Sequence, residues 1–339
     1  MKDNNKELPP SAALMQMITG FWVSSAVYVA AKLGLADHIG DGSMDADELA
    51  EHVGADSGAL FRLLRALASV GVFTEVEPRR FALTPIGNCL KSDSPGSLRA
   101  FSIVGREIGW KPWGQLLHSV RTGETAFDHL HGMGYFEFLN QNPELARLFD
   151  EAMTGFVTMN GLAVAAAYDF TPFSTIVDLG GGHGALIGAI LKQNPKARGL
   201  VFDRPEVVEA AKNRLASTGL SNRCECIGGD FFVSLPSGGD AYLLASVIHN
   251  WNDEKSLVIL RNCRRVMGSN ARILLLEMVI PPGDVSFFGK LLDLNMLVNF
   301  GGRERTEVEY RNLLFAAGFQ LTRIVPTRTS ASLIEAVPV

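Results

Sequence analysis

An apolar run that ends in a glycine cluster constrains this chain more than any other feature. Ile176-Val177-Asp178-Leu179 leads directly into Gly180-Gly181-Gly182-His183-Gly184, and apolar residues then recur at helical spacing through Leu186, Ile187, Ile190 and Leu191. A second apolar run, Leu200-Val201-Phe202, ends in Asp203, and a helix is expected from Pro205 to Ala216. Further strands are expected up to Gly229-Asp230, over Ala241–Ile248 and over Arg272–Ile280, with a helix from Asp253 to Met267 between the last two. Strands alternating with helices over such a length predict an α/β fold with a doubly wound, mostly parallel, Rossmann-like sheet. In that architecture ligands bind beyond the C-terminal strand ends, beside the first glycine loop.

Residue chemistry narrows the ligand. Asp203, some 25 residues after Asp178, stands where a carboxylate accepts the hydroxyls of a ribose. The loop spacing is Gly180-x-Gly182-x-Gly184, preceded by an acid, and not the Gly-x-Gly-x-x-Gly of dinucleotide binders. Asp230 followed by Phe231 places an acid and a flat apolar ring at the third strand end, suited to the amino edge and face of an adenine. Together these favour S-adenosylmethionine over a nicotinamide cofactor.

The rest of the chain is a separate matter. At 339 residues it is about twice the size of a typical domain, and two domains are expected, 1–105 and 106–339. Ala12–Leu35 is apolar on most helical faces but is interrupted by Gln16, Thr19, Ser24, Ser25 and Lys32. It reads as a helix packed against a second copy of the chain, and as neither a signal peptide nor a membrane span. Asp45-x-x-Glu48 forms a capping box for a helix through Val53, and Ser57 caps a second helix with the stripe Leu60, Leu63, Leu64, Leu67 and Val70. A hairpin over residues 72–84 completes a winged-helix pattern. Residues 1–100 hold nine Lys/Arg against twelve Asp/Glu, and the would-be recognition helix offers only Arg62 and Arg65. That balance argues for dimerisation over nucleic-acid binding, as does the net charge of −5 of the whole chain. Cys89, Cys224, Cys226 and Cys263 show no metal-ligand spacing, and His129-x-His131 has no third ligand nearby, so reduced thiols in a cytoplasmic protein without a metal are expected.

Nearly the whole chain resembles the S-adenosylmethionine-dependent small-molecule O-methyltransferases, the class of plant caffeate and animal hydroxyindole enzymes and of bacterial antibiotic-tailoring enzymes. The motifs are Asp178-Leu-Gly-Gly-Gly-His-Gly184, Val201-Phe-Asp-Arg-Pro205, Gly229-Asp-Phe231, His249-Asn-Trp-Asn-Asp-Glu254 and Gly301-Gly-Arg-Glu-Arg-Thr306. Leu33-Gly-Leu-Ala-Asp37 and Leu83-Thr-Pro-Ile-Gly87 match that class's dimerisation domain. The resemblance implies His249 as catalytic base, with Glu277 and Glu304 flanking it. The cofactor would be held by Asp178, Gly180, Gly182, Asp203, Gly229, Asp230, Phe231 and Ser246. The walls of the substrate pocket would be Phe149, Met153, Phe156, Leu294, Asn295 and Asn299, and the partners a small hydroxylated aromatic and a second copy of the chain. A neutral hydroxyl is a poor nucleophile, and histidine is the side chain whose basicity suits its deprotonation near neutrality.

The chain departs from the class pattern at Asn250, where an acid is frequent, and at Ala245 and Ser246, where a basic residue is common. Two rival readings stand beside methylation of a hydroxyl. One is N-methylation of an aromatic heterocycle, which needs no base. The other is a nucleoside-sensing regulator that binds DNA through the wing.

Overall fold

The computed structural model describes residues 9–339, the side chains of 156–162 excepted, and divides into two compact units, Met1–Glu107 and Ile108–Val339. In the first, α1 (Pro10–Lys32) is followed by α2 (Leu35–Ile39), β1 (Ser43–Asp45), α3 (Ala46–Val53), α4 (Ser57–Ser69), β2 (Phe73–Glu77), β3 (Arg80–Leu83), α5 (Pro85–Asn88) and α6 (Arg99–Val104). The helix–helix–hairpin pattern is present, and β1 adds a third antiparallel strand in the order β1-β3-β2. Two caps differ from expectation. Asp56, not Ser57, caps α4 through the Ala59 N–H, because the Ser57 hydroxyl turns to Asp47. Asp45 caps α3 through the Asp47 N–H without the reciprocal Glu48 contact of a capping box. On α4, Leu60, Leu64 and Leu67 are buried while Val70 is exposed.

Only Ala30 and Ala31 of α1 are buried, and Met17 and Trp22 are 77% and 63% exposed. By length and composition α1 is the one helix among the described residues that could cross a membrane. Its apolar surface is equally what an uncovered subunit contact leaves behind.

The second unit opens with five helices, α7 (Trp110–Trp113), α8 (Leu116–Thr122), α9 (Ala126–His131), α10 (Tyr135–Gln141) and the long α11 (Pro143–Ala167). The alternating part then runs β4 (Thr175–Leu179), α12 (Ala185–Gln193), β5 (Arg198–Asp203), α13 (Pro205–Ser217), β6 (Cys224–Gly228) and β7 (Ala241–Ala245). It continues through α14 (Asp253–Val266), β8 (Arg272–Glu277), α15 (Phe288–Asn299), α16 (Glu307–Ala316), β9 (Phe319–Pro326) and β10 (Ser332–Pro338). The sheet order is β6-β5-β4-β7-β8-β10-β9, parallel except where β10 pairs antiparallel with β8 and β9.

Successive strand residues face opposite sides, so each strand supplies two cores. Ile176, Leu243 and Leu274 pack with Ile187, Ile190, Leu191 and Leu215 of α12 and α13. Val177, Tyr242 and Ile273 pack with Ile259, Leu260 and Cys263 of α14 and with Leu313 and Leu314 of α16. Burial on both faces explains the unbroken apolar runs that announced the sheet.

Two strands end earlier than the sequence pattern indicates. β7 stops at Ala245 and not Ile248, because Ser246 takes a left-handed backbone (φ +53°) and the chain then makes a single 3-10 turn, Ile248–Asn250. β8 stops at Glu277 and not Ile280. Both breaks lie at the C-terminal sheet edge and turn side chains toward the same place.

Candidate active site

The glycine loop forms as β4 ends and α12 begins. Gly180, Gly182 and Gly184 all adopt positive φ, which costs glycine little and other residues much. A Cβ on Gly180 would lie 2.8 Å from Val247 Cγ2 and 4.0 Å from the Phe231 ring, whereas one on Gly182 would meet nothing within 4 Å. The loop is therefore walled on one side and open on the other. Asp178 beneath it is 1% exposed, and neither carboxylate oxygen has a hydrogen-bond partner. Burial, reinforced by Asp203, raises its carboxyl to about 7. Asp203 closes β5 and accepts the Gly182 N–H at 2.8 Å and the Arg204 N–H at 2.7 Å. Its backbone carbonyl accepts the Gly229 N–H at 2.9 Å, which carries the chain from β6 toward Asp230 and Phe231. Asp230 is exposed and accepts the Phe232 N–H at 2.8 Å.

The second cluster hangs from the ends of β7 and β8. His249 lies on the 3-10 turn, buried, with Nδ1 2.7 Å from Glu304 Oε1 and 3.8 Å from Glu277 Oε2. The three donor sets lie within 4.8 Å of one another. The 2.7 Å contact has the length of a charge-assisted hydrogen bond, the imidazole N–H donating to the carboxylate. Burial alone would lower the imidazole pKa, but the charges of Glu277 and Glu304 outweigh it and raise it to about 9. Glu277 is raised to about 7 by burial, opposed by His249.

Glu277 has a further task that its sequence position does not announce. Its Oε1 accepts the backbone N–H groups of Val247 and Ile248 at 3.1 and 2.8 Å, which fixes the start of the turn that carries His249. The other side of that turn is held by residues 301–305. Gly302 packs on it so closely that a Cβ would sit 2.0 Å from the His249 carbonyl oxygen and 2.4 Å from the Asn250 carbonyl carbon. The Arg303 N–H donates to the His249 carbonyl at 2.9 Å, and the Glu304 N–H donates to Asp293 at 2.8 Å. Arg305 is buried beneath them, paired with Asp253.

The structure brings the remaining expected residues together unevenly. Ser246 precedes the His249 turn, and its carbonyl accepts from the Asn250 side chain at 3.0 Å, so the amide at this departure from the family pattern has a donor's role that an ionised acid could not fill. Asn295 Oδ1 accepts from Trp113 Nε1 at 2.9 Å and from Asn299 Nδ2 at 2.8 Å, leaving the buried Asn299 Oδ1 without a partner. Phe149 is half-buried beside Tyr135 and Phe136, and Met153 and Leu294 are half-buried on α11 and α15. The side chain of Phe156 lies outside the described residues. His129 stacks on His118 and His131 lies against Phe127 and Phe138, in aromatic packing. Trp251 stacks on Phe136 and meets Phe232 edge-on.

Three contacts had no sequence signal. The Thr154 hydroxyl of α11 lies 3.0 Å from His183 Nδ1 in the glycine loop. Asn262 on α14 donates to the carbonyls of Phe231 and Phe232 at 2.9 and 3.0 Å, which steadies the expected adenine-side loop. Gly302 was visible only as part of a glycine pair, whereas its contact with the His249 turn is a tertiary fact.

Comparison with known proteins places the chain in a family. Residues 113–320 match an O-methyltransferase domain, and residues 15–93, which include most of α1, match an O-methyltransferase dimerisation domain. The chain is 47% identical to phenazine O-methyltransferase PhzM of Lysobacter antibioticus, over the full length of both. It is 34% identical to phenazine-1-carboxylate N-methyltransferase of Pseudomonas aeruginosa, covering 98% of this chain and 99% of that one. The crystal structure of LaPhzM superposes with a TM-score of 0.95 at 47% identity, covering 98% and 100% of the two chains. The matched domains account for most of the sequence and for both structural units, and the chain belongs to the O-methyltransferase family, whose members take their methyl group from S-adenosylmethionine.

Proposed function

We propose that this protein methylates a hydroxyl of a small aromatic natural product, as a cytoplasmic homodimer, with His249 as general base. One observation carries the reading. A buried imidazole whose Nδ1 is tied to Glu304 at 2.7 Å has its second nitrogen, Nε2, left for a substrate. A base fixed by one carboxylate and mounted on a turn anchored by another is built to take a proton from a defined direction.

The residues at the glycine loop fit the family's cofactor. A carboxylate buried without a partner, as at Asp178, is stabilised by a cationic group such as an amino acid's ammonium. Asp203 keeps acceptor capacity for a ribose beyond the two N–H groups it already binds. Gly180, Gly182 and Gly229 give the backbone its close approach, Phe231 and Asp230 would face the adenine, and Ser246 borders the path toward His249. When bound, S-adenosylmethionine supplies a methyl group on a positively charged sulfur, which a well-placed oxygen can accept. The protein's share is to exclude water, to align the acceptor between α11 and α15, and to hold its hydroxyl at His249 Nε2. Nε2 takes the hydroxyl proton as the oxygen acquires the methyl, and Glu304 and Glu277 balance the imidazolium that forms. Phe149, Met153, Phe156 and Leu294 would form the apolar walls, with Asn295 and Asn299 as polar contacts. The apolar surface of α1, inside the matched dimerisation region, is what a second copy would cover.

N-methylation of an aromatic nitrogen is the second reading, favoured by the 34% identity to an N-methyltransferase. One experiment separates the two. Wild type and His249→Ala are assayed with S-adenosylmethionine against hydroxylated and unhydroxylated phenazines, and the products are located by mass spectrometry and NMR. The proposal expects O-methyl products and a fall of about 10²–10⁴-fold in His249→Ala. Methylation of ring nitrogen, at a rate the variant retains, would overturn it.

A further inference from the structure

The buried cluster around His249 holds a cation that none of the chemistry above has used. Arg305 is 1% exposed, the bulkiest of the fully buried side chains, and a guanidinium at that depth is tolerated only where every face is bonded. Here it is. Nε and Nη2 donate to Asp253 Oδ1 at 3.0 and 2.7 Å, and Nη1 donates to the carbonyls of Ile248 and Arg303, both at 3.3 Å. Nη2 also donates to the carbonyl of Trp251 at 2.9 Å and lies 3.3 Å from the Ser256 hydroxyl. The carbonyls of Ile248 and Trp251 bracket His249, so one planar group grips the catalytic turn on both sides of the imidazole. The backbone of Arg305 is itself fixed, its carbonyl accepting the Ile280 N–H at 3.0 Å beyond the end of β8.

We propose that Arg305 is a positioning residue for the methyl-transfer site, setting both the orientation of His249 and its proton affinity: its fork fixes the turn from behind while its charge offsets those of Glu277 and Glu304. The inference rests on His249 being the base. Arg305 is a cation within the same buried cluster, and it lowers the proton affinity of both His249 and Glu277. Two carboxylates facing one imidazole favour its protonated form, raised to about 9 even with Arg305 present, and without that cation the neutral form would be scarcer still. Arg305 is the counterweight, and lysine could not replace it, because a single ammonium cannot reach five acceptors in one plane.

The groups facing the cluster come from every element around it. They are Glu277 on β8, Glu304 and Arg305 on the loop before α16, Tyr310 on α16, Asp293 on α15, Asp253 at the start of α14, and Arg303, which lies 3.9 Å from Asp253 Oδ2 and is paired with Glu309. The Tyr310 hydroxyl is pushed up by burial and stays neutral. Asp293 is raised by burial and accepts the Glu304 N–H. Asp253 is half-exposed, on the solvent side of Arg305.

This geometry gives a charge-specific test. Arg305→Met and Asp253→Asn break the same ion pair, so loosening of the turn alone affects both in the same way. Their charge changes are opposite. The full-length protein is labelled at histidine, of which there are seven, and the His249 resonance is assigned by its loss in His249→Asn. Titration by NMR without substrate is expected to show the His249 midpoint rising by about one pH unit in Arg305→Met and falling by a few tenths in Asp253→Asn. The acid limb of the kcat profile should move with it. Asp253→Asn is isosteric and half-exposed, so it folds and tests the sign even where Arg305→Met does not. Midpoints that stay put, or that move in the same direction in both variants, overturn the proposal. Midpoints that move oppositely while kcat ignores them leave the role of Arg305 standing and remove His249 as the base.

Discussion

Replacing Gly302 by alanine adds a single methyl group and should disable the enzyme. A Cβ at this position would lie 2.0 Å from the His249 carbonyl oxygen, 2.4 Å from the Asn250 carbonyl carbon and 2.7 Å from the Trp251 nitrogen. All three are backbone atoms, so no side chain can swing aside. Reaching even a tight 3.0 Å contact requires the loop and the turn to separate by about 1 Å. The Arg303 N–H to His249 carbonyl bond, now 2.9 Å, would then stretch beyond hydrogen-bonding range. Overpacking and one lost buried bond together amount to about 2–5 kcal/mol of stability. A displacement of about 1 Å between base and acceptor costs about 100-fold in rate. The assay is steady-state kcat and KM for Gly302→Ala beside wild type, with thermal melting and calorimetric titration of S-adenosylhomocysteine. The same turn carries the Asn250 brace on the Ser246 carbonyl, so S-adenosylhomocysteine affinity should weaken as well, by about 5–30-fold, while kcat at saturating cofactor falls about 100-fold. A variant with wild-type kcat and melting temperature would show that the 301–305 loop does not set the position of His249.

Two further outcomes follow from the same geometry. Only a neutral imidazole can accept a proton, and His249 is raised to about 9, so about one molecule in a hundred is competent at pH 7; kcat should climb with pH and level off above about 9, and a rate that is flat or falls between pH 7 and 9 would refute His249 as base. Asn250→Asp removes the donor that braces the Ser246 carbonyl at 3.0 Å, at a residue held in a left-handed backbone; calorimetry should show S-adenosylhomocysteine binding weakened about 5–30-fold, and unchanged affinity would show that the brace is idle.

The sheet was legible because its physics is local. Strands buried on both faces must be apolar throughout, and a loop that needs positive φ at alternate positions writes glycine at 180, 182 and 184. His249, Glu277 and Glu304 were named through a family resemblance, and the residues alone did not identify them. Read in isolation, Glu304 is a surface acid beside two arginines. Its burial depends on a loop folding back over a turn more than fifty residues away, and no periodicity records that. Ser246 shows the same gap more sharply. Its left-handed backbone ends β7 early and aims the next residues at the site, yet serine carries no signal for that conformation as glycine would. The Asn262 and Thr154 contacts likewise involve unremarkable residues on helices, placed by packing.

The His249 cluster and the residues proposed to wall the acceptor pocket belong to different parts of the chain. His249 is bonded to Glu304, and Glu277 and Arg305 are bonded to the backbone of the turn that carries it, whereas Phe149, Met153 and Leu294 are half-buried apolar side chains on α11 and α15. Contacts of that apolar kind exchange at low cost when volume is kept. On the proposed reading the chemistry is hard-wired and the choice of acceptor is not: exchanging apolar residues on two helices would redirect the protein to a differently shaped acceptor without rebuilding the machinery that activates it.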